Sequence, residues 1–402
     1  ARSGIPIVAI HIDHGLHPDA AKWSAQAGNF AAALGVEFVA RQVIVDERME
    51  QGPEAAAREA RYRAFNELVA DGDCLLSAHH ENDQAETLLL NLMRGSGPAG
   101  LAGIGARQPF GQGQLLRPLL GVAADDIAAY AARHELRWID DPSNDDDRFD
   151  RNFLRHEIMP RLRSRWPAVV NRLTLSASLL DEASELLRDL ADIDIAACGE
   201  PQSLSLEVID GLSERRQRNL LRRAVQRCGL PSPPATRLFQ AVSELIPARP
   251  DAQPVVRWTG AELRRYRGRV FVLPALDQRP DAPVEQLAVD GEPVELGQKL
   301  GCLQLVRAGC EGLKPEIVGG GLQIRFRTGG ESLRIAPDGS TRKLKKLLQE
   351  HGVLPWMRDR LPLLYAGDEL VAVADLWRSA EHSSETGYVV DWREKPPING
   401  PL

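Results

Sequence analysis

Apolar positions in the first third of the chain alternate between two periods. Ile5 to Asp13 is a short apolar run, and the residues after it repeat at helical spacing from Asp19 to Leu34, where Gly35 stops them. Val36 to Val45 reads as a second strand, and Pro53 to Ala70 as a helix with proline near its start. Cys74 to Ala78 is a third buried strand. Ala85, Leu88, Leu89, Leu92 and Met93 then recur at helical spacing until Gly95 and Gly97 break the pattern, with Pro98 just beyond. Leu115–Leu119 adds a short strand and Ala123–His134 a helix. Strands alternating with helices of this length predict an α/β domain on a parallel sheet. Further on, Ile158–Leu190 is helical with a break at Pro167. Helices at Glu214–Cys228 and Thr236–Leu245 and strands at Val255–Trp258 and Arg269–Leu273 follow. Leu276–Pro283 reads as a linker, and the chain beyond 284 is largely β in character apart from a basic helix at Lys343–Glu350. The predicted organisation is an α/β domain over 1–160, a linker helix over 161–195, a helical domain over 196–280 and a small α+β domain over 284–402.

The chemistry gathers after the third strand, in His79-His80-Glu81-Asn82-Asp83-Gln84-Ala85-Glu86. Ligands of open parallel sheets bind at the carboxyl ends of strands. Asp83 and Glu86 lie three apart in a first helical turn, so their carboxylates share a face and are stabilised by the helix N-terminus. A rigid carboxylate pair there suits a cation; the blander reading is ordinary capping. A metal held by the histidine pair is a third reading, weakened because adjacent histidines point in different directions. The glycine-rich Arg94–Gly100 stretch, with Gly95 and Gly97, reads as a loop whose backbone approaches a ligand.

Charge refines this picture. The net charge is −7, but three islands are basic. Residues 148–172 carry seven arginines against two acids, 213–227 six against one, and 323–360 nine lysines and arginines against four acids. Compensating acids, Asp192 and Asp194 among them, sit in another stretch of sequence. Such islands predict a path for a polyanion. No apolar run reaches the ~20 residues of a membrane span. The five scattered cysteines form no CxxC pair, which fits a reducing cytoplasm. The first apolar run is too short for a signal peptide. The chain opens without methionine almost inside a strand, so an earlier segment is expected to be missing.

Ile10-His11-Ile12-Asp13-His14-Gly15-Leu16, the His79–Gly100 block, Arg117-Pro118-Leu119-Leu120 and the Asp140–Arg155 block occur in an order that resembles tRNA(Ile)-lysidine synthetases, which are PP-loop ATP pyrophosphatases. Arg327-Thr328-Gly329-Gly330-Glu331, Lys343–Leu348 and Pro355-Trp356-Met357-Arg358-Asp359-Arg360 extend the resemblance over nearly the whole chain. It implies ATP-dependent joining of L-lysine to C2 of the first anticodon cytidine of a CAU-anticodon tRNA(Ile), through an adenylated tRNA. It implies Asp83 and Glu86 as the lysine-recognising carboxylates, with Arg58 and Arg151 facing phosphate or the transition state. His79, His80, Asp13 and His14 would line the ATP/lysine pocket. Arg155, Arg342, Lys343, Lys345, Lys346, Arg358 and Arg360 would face tRNA, the two later domains clamping its body and acceptor arm. ATP and Mg²⁺ are the implied cofactors, the location is cytoplasmic without a membrane, and a homodimer is admitted. One departure stands out: the family's SGGxDS phosphate loop, whose aspartate helps hold Mg²⁺, has no match before Ile5. Two rivals follow, a PP-loop tRNA thiolase and a non-catalytic tRNA-binding derivative.

Overall fold

The computed structural model describes residues 4–15, 18–44, 53–249, 252–276, 286–289, 291–297 and 300–399. Leu16, Val45 and nearly all of the Leu276–Pro283 linker lie outside them. Two compact units divide between Leu186 and Leu187.

In the first unit β1 (Val8–Asp13), α1 (Ala20–Ala33) and β2 (Glu37–Gln42) form a βαβ crossover, with Val8 opposite Glu37 and Asp13 opposite Gln42 in a parallel pair. Helix α2 (Pro53–Leu68) buries Ala56, Ala60 and Ala64 at four-residue spacing, small side chains that let a helix approach its support closely. Strand β3 (Cys74–Leu76) leads into α3 (Glu81–Met93) and the short α4 (Pro98–Leu101). The chain then forms a hairpin, β4 (Arg107–Phe110) and β5 (Gly113–Leu116), whose second strand runs parallel to β3. The parallel architecture is as predicted; β4 was not foreseen, because Pro109 argues against a strand. On a sheet edge, where a strand is bonded on one side only, proline is tolerated. Helix α5 (Ala124–Arg133) and a 3₁₀ turn at Pro142–Asp145 precede α6 (Asp150–Phe153), a π-helical turn at Leu154–Ile158, α7 (Met159–Arg165) and α8 (Val169–Cys198). Carboxyl ends of β1 and β3 open into the same cleft, the geometry expected of a ligand site.

The second unit begins within α8. The stretch predicted as a helical domain, 196–280, is half sheet. Five strands in the order Gly199–Glu200, Ser203–Ser205, Arg269–Pro274, Ala261–Tyr266 and Val255–Trp258 carry helices Glu214–Arg227 and Ala235–Gln240 over a core that includes Leu204, Leu220, Leu221, Leu238, Leu263 and Val270. Ala261–Tyr266 hides in the sequence because Glu262, Arg264 and Arg265 make it look exposed. Glu262 is in fact fully buried, its two oxygens taken by Arg257 Nε at 2.8 Å and Arg264 Nε at 2.6 Å. Beyond 286, two five-stranded antiparallel sheets and the helix Leu344–Glu350 enclose one large core. Phe271 meets Trp356 edge to face at 5.2 Å and so joins the two halves of this unit. No helix among the described residues is long and apolar enough to cross a membrane.

Gly301 turns the chain into the strand Cys302–Ala308 with φ +74°, and a Cβ there would collide with the carbonyl oxygen of Arg393 on the neighbouring strand. Gly301→Ala is expected to destabilise the second unit by about 2 kcal/mol or more, read as a thermal midpoint lowered by several degrees.

Candidate functional site

Both carboxylates singled out in the sequence carry cations, and those cations belong to the chain itself. Arg151 donates from Nε to Glu86 Oε2 at 2.8 Å and from Nη2 to Asp83 Oδ1 at 2.9 Å. Arg155 donates from Nε to Glu86 Oε1 at 2.9 Å, and from Nη2 to Glu86 Oε2 at 3.0 Å and Asp83 Oδ1 at 3.4 Å. The remaining oxygen of Asp83, Oδ2, accepts the backbone N–H of His80 at 2.9 Å. Asp83 therefore does two jobs, capping α3 and closing an ion cluster. Glu86 is only 2% exposed, and its hydrogen bond raises the Arg155 pKa above the usual guanidinium value against the opposing effect of burial. Four charges cancel in this cluster, which is how a buried carboxylate is sustained. Arg155, expected to face tRNA, is thus bound into the carboxylate cluster together with Arg151.

Polar side chains of α3 fasten the segment that follows it. Gln84 is buried; its amide nitrogen donates to Ala102 O and Ile104 O, and its oxygen accepts Ile104 N–H at 2.6 Å. Asn91 donates to Gly100 O at 2.7 Å, and Glu81 accepts from Asn171 Nδ2 at 2.8 Å. The glycines have conformational work here. Gly95, at φ +70°, ends α3, and Gly97 caps the turn at Pro98. Neither is on the cleft wall.

A cleft of about 860 Å³ opens above the cluster. Asp13, His14 and Gly15 from the end of β1, and Ser77, Ala78 and His79 from the end of β3, form one rim. Asp83, Arg151 and Arg155 form the floor beside Asp141, Asn144 and Phe149, and Ile12, Trp23 and Phe65 give an apolar wall. The volume suits a nucleotide-sized ligand. Asp13 Oδ1 accepts Gly15 N–H at 2.8 Å and so shapes its own loop. His79 Nδ1 is hydrogen-bonded to the Ser77 hydroxyl. Burial lowers the His79 pKa, and Arg117, Arg151 and Arg58 add to this against the opposing carboxylate of Asp83. Burial likewise lowers that of His14, with Arg61 second. His80 stands outside the wall, its Nδ1 3.5 Å from Asp83 Oδ2. Arg58 is exposed, stacked over Tyr62 at 4.9 Å, and also off the wall. Arg61, exposed on the same helix, is part of the wall. Trp23, Ser77 and Asn144 were missed as well; only strand-end position marked Ser77. Among the described residues no group of three or more histidines, cysteines or carboxylates is arranged to hold a metal.

The basic islands separate into used and unused charge. In 213–227, Arg216 pairs with Asp194, while Arg223 and Arg227 pair with Asp192 at 2.7 and 3.1 Å. The compensating acids face this island, and its expected role as a polyanion path is reduced accordingly. Arg358 donates to Val353 O at 2.9 Å and Tyr266 Oη at 3.0 Å, and Arg360 to Trp356 O at 3.4 Å; both brace local structure. Arg342 pairs with Glu350. Lys343, Lys345 and Lys346 are exposed.

Residues 1–162 match the PP-loop domain model, 204–271 the TilS substrate binding domain and 322–392 the TilS substrate C-terminal domain. The tRNA(Ile)-lysidine synthase of Alkalilimnicola ehrlichii is 43% identical over 397 residues, covering 98% of this chain and 89% of that protein. Its counterpart in Pseudomonas aeruginosa is 42% identical, covering 98% and 87%, and that of Methylococcus capsulatus 40%, covering 97% and 90%. With identity at this level sustained across all three matched regions, the chain belongs to the tRNA(Ile)-lysidine synthase family.

Proposed function

We propose that this protein is a ligase that joins L-lysine, with ATP, to C2 of the first anticodon cytidine of a CAU-anticodon tRNA(Ile). Near-full-length similarity to synthases of that name carries the reading, and the cleft supplies its chemistry. ATP activates the C2 oxygen as an adenylate with loss of pyrophosphate; the lysine ε-amine then attacks C2 and AMP leaves with that oxygen. The attacking amine has to shed the ammonium proton. Asp83 and Glu86 suit recognition of that ammonium, and Arg151 suits the phosphate charge, since a guanidinium fork matches oxyanions better than an ammonium does. His79, tied by Ser77, borders the same space, and its burial favours the neutral ring. Mg²⁺ is expected to accompany the nucleotide phosphates: no cluster of ligands among the described residues forms a cage for it, and we assign it no step. The alternatives, a thiolase or a catalytically silent tRNA binder, are not favoured by the family assignment.

Labelled lysine should enter a CAU-anticodon tRNA(Ile) transcript with Mg-ATP and leave the methionine tRNA unlabelled; label in both, or in neither, counts against the reading. Asp83→Ala should abolish that transfer while tRNA affinity stays within about threefold, and a large loss of tRNA binding would remove Asp83 from the lysine role. Replacing Lys343, Lys345 and Lys346 with alanine should weaken tRNA binding and lower its salt slope by up to about 3, close to one unit for each phosphate no longer neutralised. At pH 6.5, where an unperturbed histidine is half protonated, ¹⁵N NMR should find the His79 ring mostly neutral. Since burial favours the neutral form, its contribution to stability is present above pH 6.5 and is lost as pH falls through the lowered folded value.

A further inference from the structure

Every carboxylate oxygen of the Asp83–Glu86 pair is already committed. Both oxygens of Glu86 and Oδ1 of Asp83 accept from Arg151 and Arg155, and Oδ2 of Asp83 accepts from the His80 backbone. Glu86 is absent from the cleft wall, whereas both arginines are on it, with side chains 24% and 37% exposed. An incoming ammonium therefore meets guanidinium before it meets Glu86. It would bring three donors to a pair with only two lone pairs to spare, one on Asp83 Oδ2 and one on Glu86 Oε1. The arginines, conversely, present their outer faces to the space a phosphate-bearing substrate enters.

We propose that Arg151 and Arg155 occupy the lysine ammonium site as stand-in cations, and that phosphate oxygens entering the cleft draw Arg155 off, so that lysine binds after its phosphate-bearing co-substrate. This rests on the reading of Asp83 and Glu86 as the lysine site. Charge favours such an exchange: guanidinium passes from carboxylate to phosphate, where bidentate pairing is at least as good, and ammonium takes the vacated carboxylates. One guanidinium leaves, one ammonium arrives and Arg151 stays on the pair, so the large penalty of a buried lone carboxylate is avoided. The backbone provides for movement. Arg155 lies within the five-residue π turn Leu154–Ile158, where i→i+5 bonding holds an extra residue, and conversion to α-helical bonding would rotate the side chains it carries. Asn152, which donates to Asp146 O at 3.0 Å, anchors the start of this turn and leaves its later part as the moving element. The consequence is an enforced order in which the nucleophile's site forms only once there is something to attack.

Equilibrium dialysis of labelled lysine against the full chain tests this in four arms: protein alone, with inorganic phosphate, with Mg²⁺ and a non-hydrolysable ATP analogue, and with tRNA(Ile) transcript. The expected result is a lysine Kd tightened about tenfold or more by at least one phosphate-bearing ligand, and the effective arm identifies the source. Equal affinity in all four arms overturns the proposal. Arg155→Met should bind lysine more tightly when alone and lose most of the enhancement; enhancement kept in full by a folded Arg155→Met protein also overturns it. Asp83→Asn separates the underlying assumption. If it loses lysine binding while the wild type shows no phosphate dependence, the gate fails and the site stands. If Asp83→Asn binds lysine as the wild type does, the site assignment fails and takes the gate with it.

Discussion

Two guanidiniums on one buried and one half-buried carboxylate hold the catalytic unit in its shape. Glu86 and Asp83 sit in the first turn and a half of α3, and Arg151 and Arg155 reach them from 65 to 72 residues further along. Little apolar material is available to do this instead: the core cluster at this place is only Ala85, Met159 and Val170, with a few partly buried neighbours. Polar pairing therefore determines where the 141–155 segment lies, and with it the floor of the cleft. Removing one partner of such a pair typically costs about 3–5 kcal/mol, because the other charge stays buried. The same groups are thus structural in the absence of substrate and, under the proposed function, chemical in its presence.

The second unit solves a different electrostatic problem. It must carry basic charge for a polyanion without repelling itself apart. The arginines of 213–227 are balanced by Asp192 and Asp194 on the preceding long helix, and Glu262 is clamped by two arginines of its own sheet. Glu331 resists protonation in a related way. Burial alone would raise its pKa, but the N–H groups of Gly329 and Thr328, with Arg327 nearby, bring it below the usual value. Lys343, at the N-cap of the helix Leu344–Glu350, and Lys345 and Lys346 within it are exposed, while Leu344, Leu347 and Leu348 are anchored in the core. Under the proposed function, flexible charged tips on a rigid helix suit sequence-independent phosphate contact at little ordering cost.

Much of this was legible in the sequence. Apolar runs and period-3.6 patterning located β1, β2, α1, α2 and α3 within a few residues, while the long helix, expected to end at Leu190, runs on to Cys198. Ala261–Tyr266 and β4 escaped because their determinants are non-local: a buried glutamate neutralised by arginines in one, a proline made harmless by edge position in the other. Asp83 and Glu86 were visible from spacing. Their partners were not, because nothing in a linear charge count says that Arg155 turns inward while Arg148 stays exposed and pairs locally with Asp146. Gly95 and Gly97 fit two readings, since helix termination and ligand approach call for the same residue, and the structure accounts for the first.

The contrast between arginine and lysine gives the cleft its logic. On the proposed reading of Asp83 and Glu86 as an ammonium site, the pair must remain stable while that ammonium is absent, and Glu86 lies nearly out of reach of bulk water. Arginine fills the role because it stays charged even when partly desolvated and because its fork engages two carboxylates at once. A lysine of the chain in that position would resemble the substrate too closely, as an amine able to lose its proton beside an activated base. Guanidinium, which keeps its protons, neutralises the pair without introducing a competing nucleophile. The choice of cation thus protects the site's fold and its chemistry together.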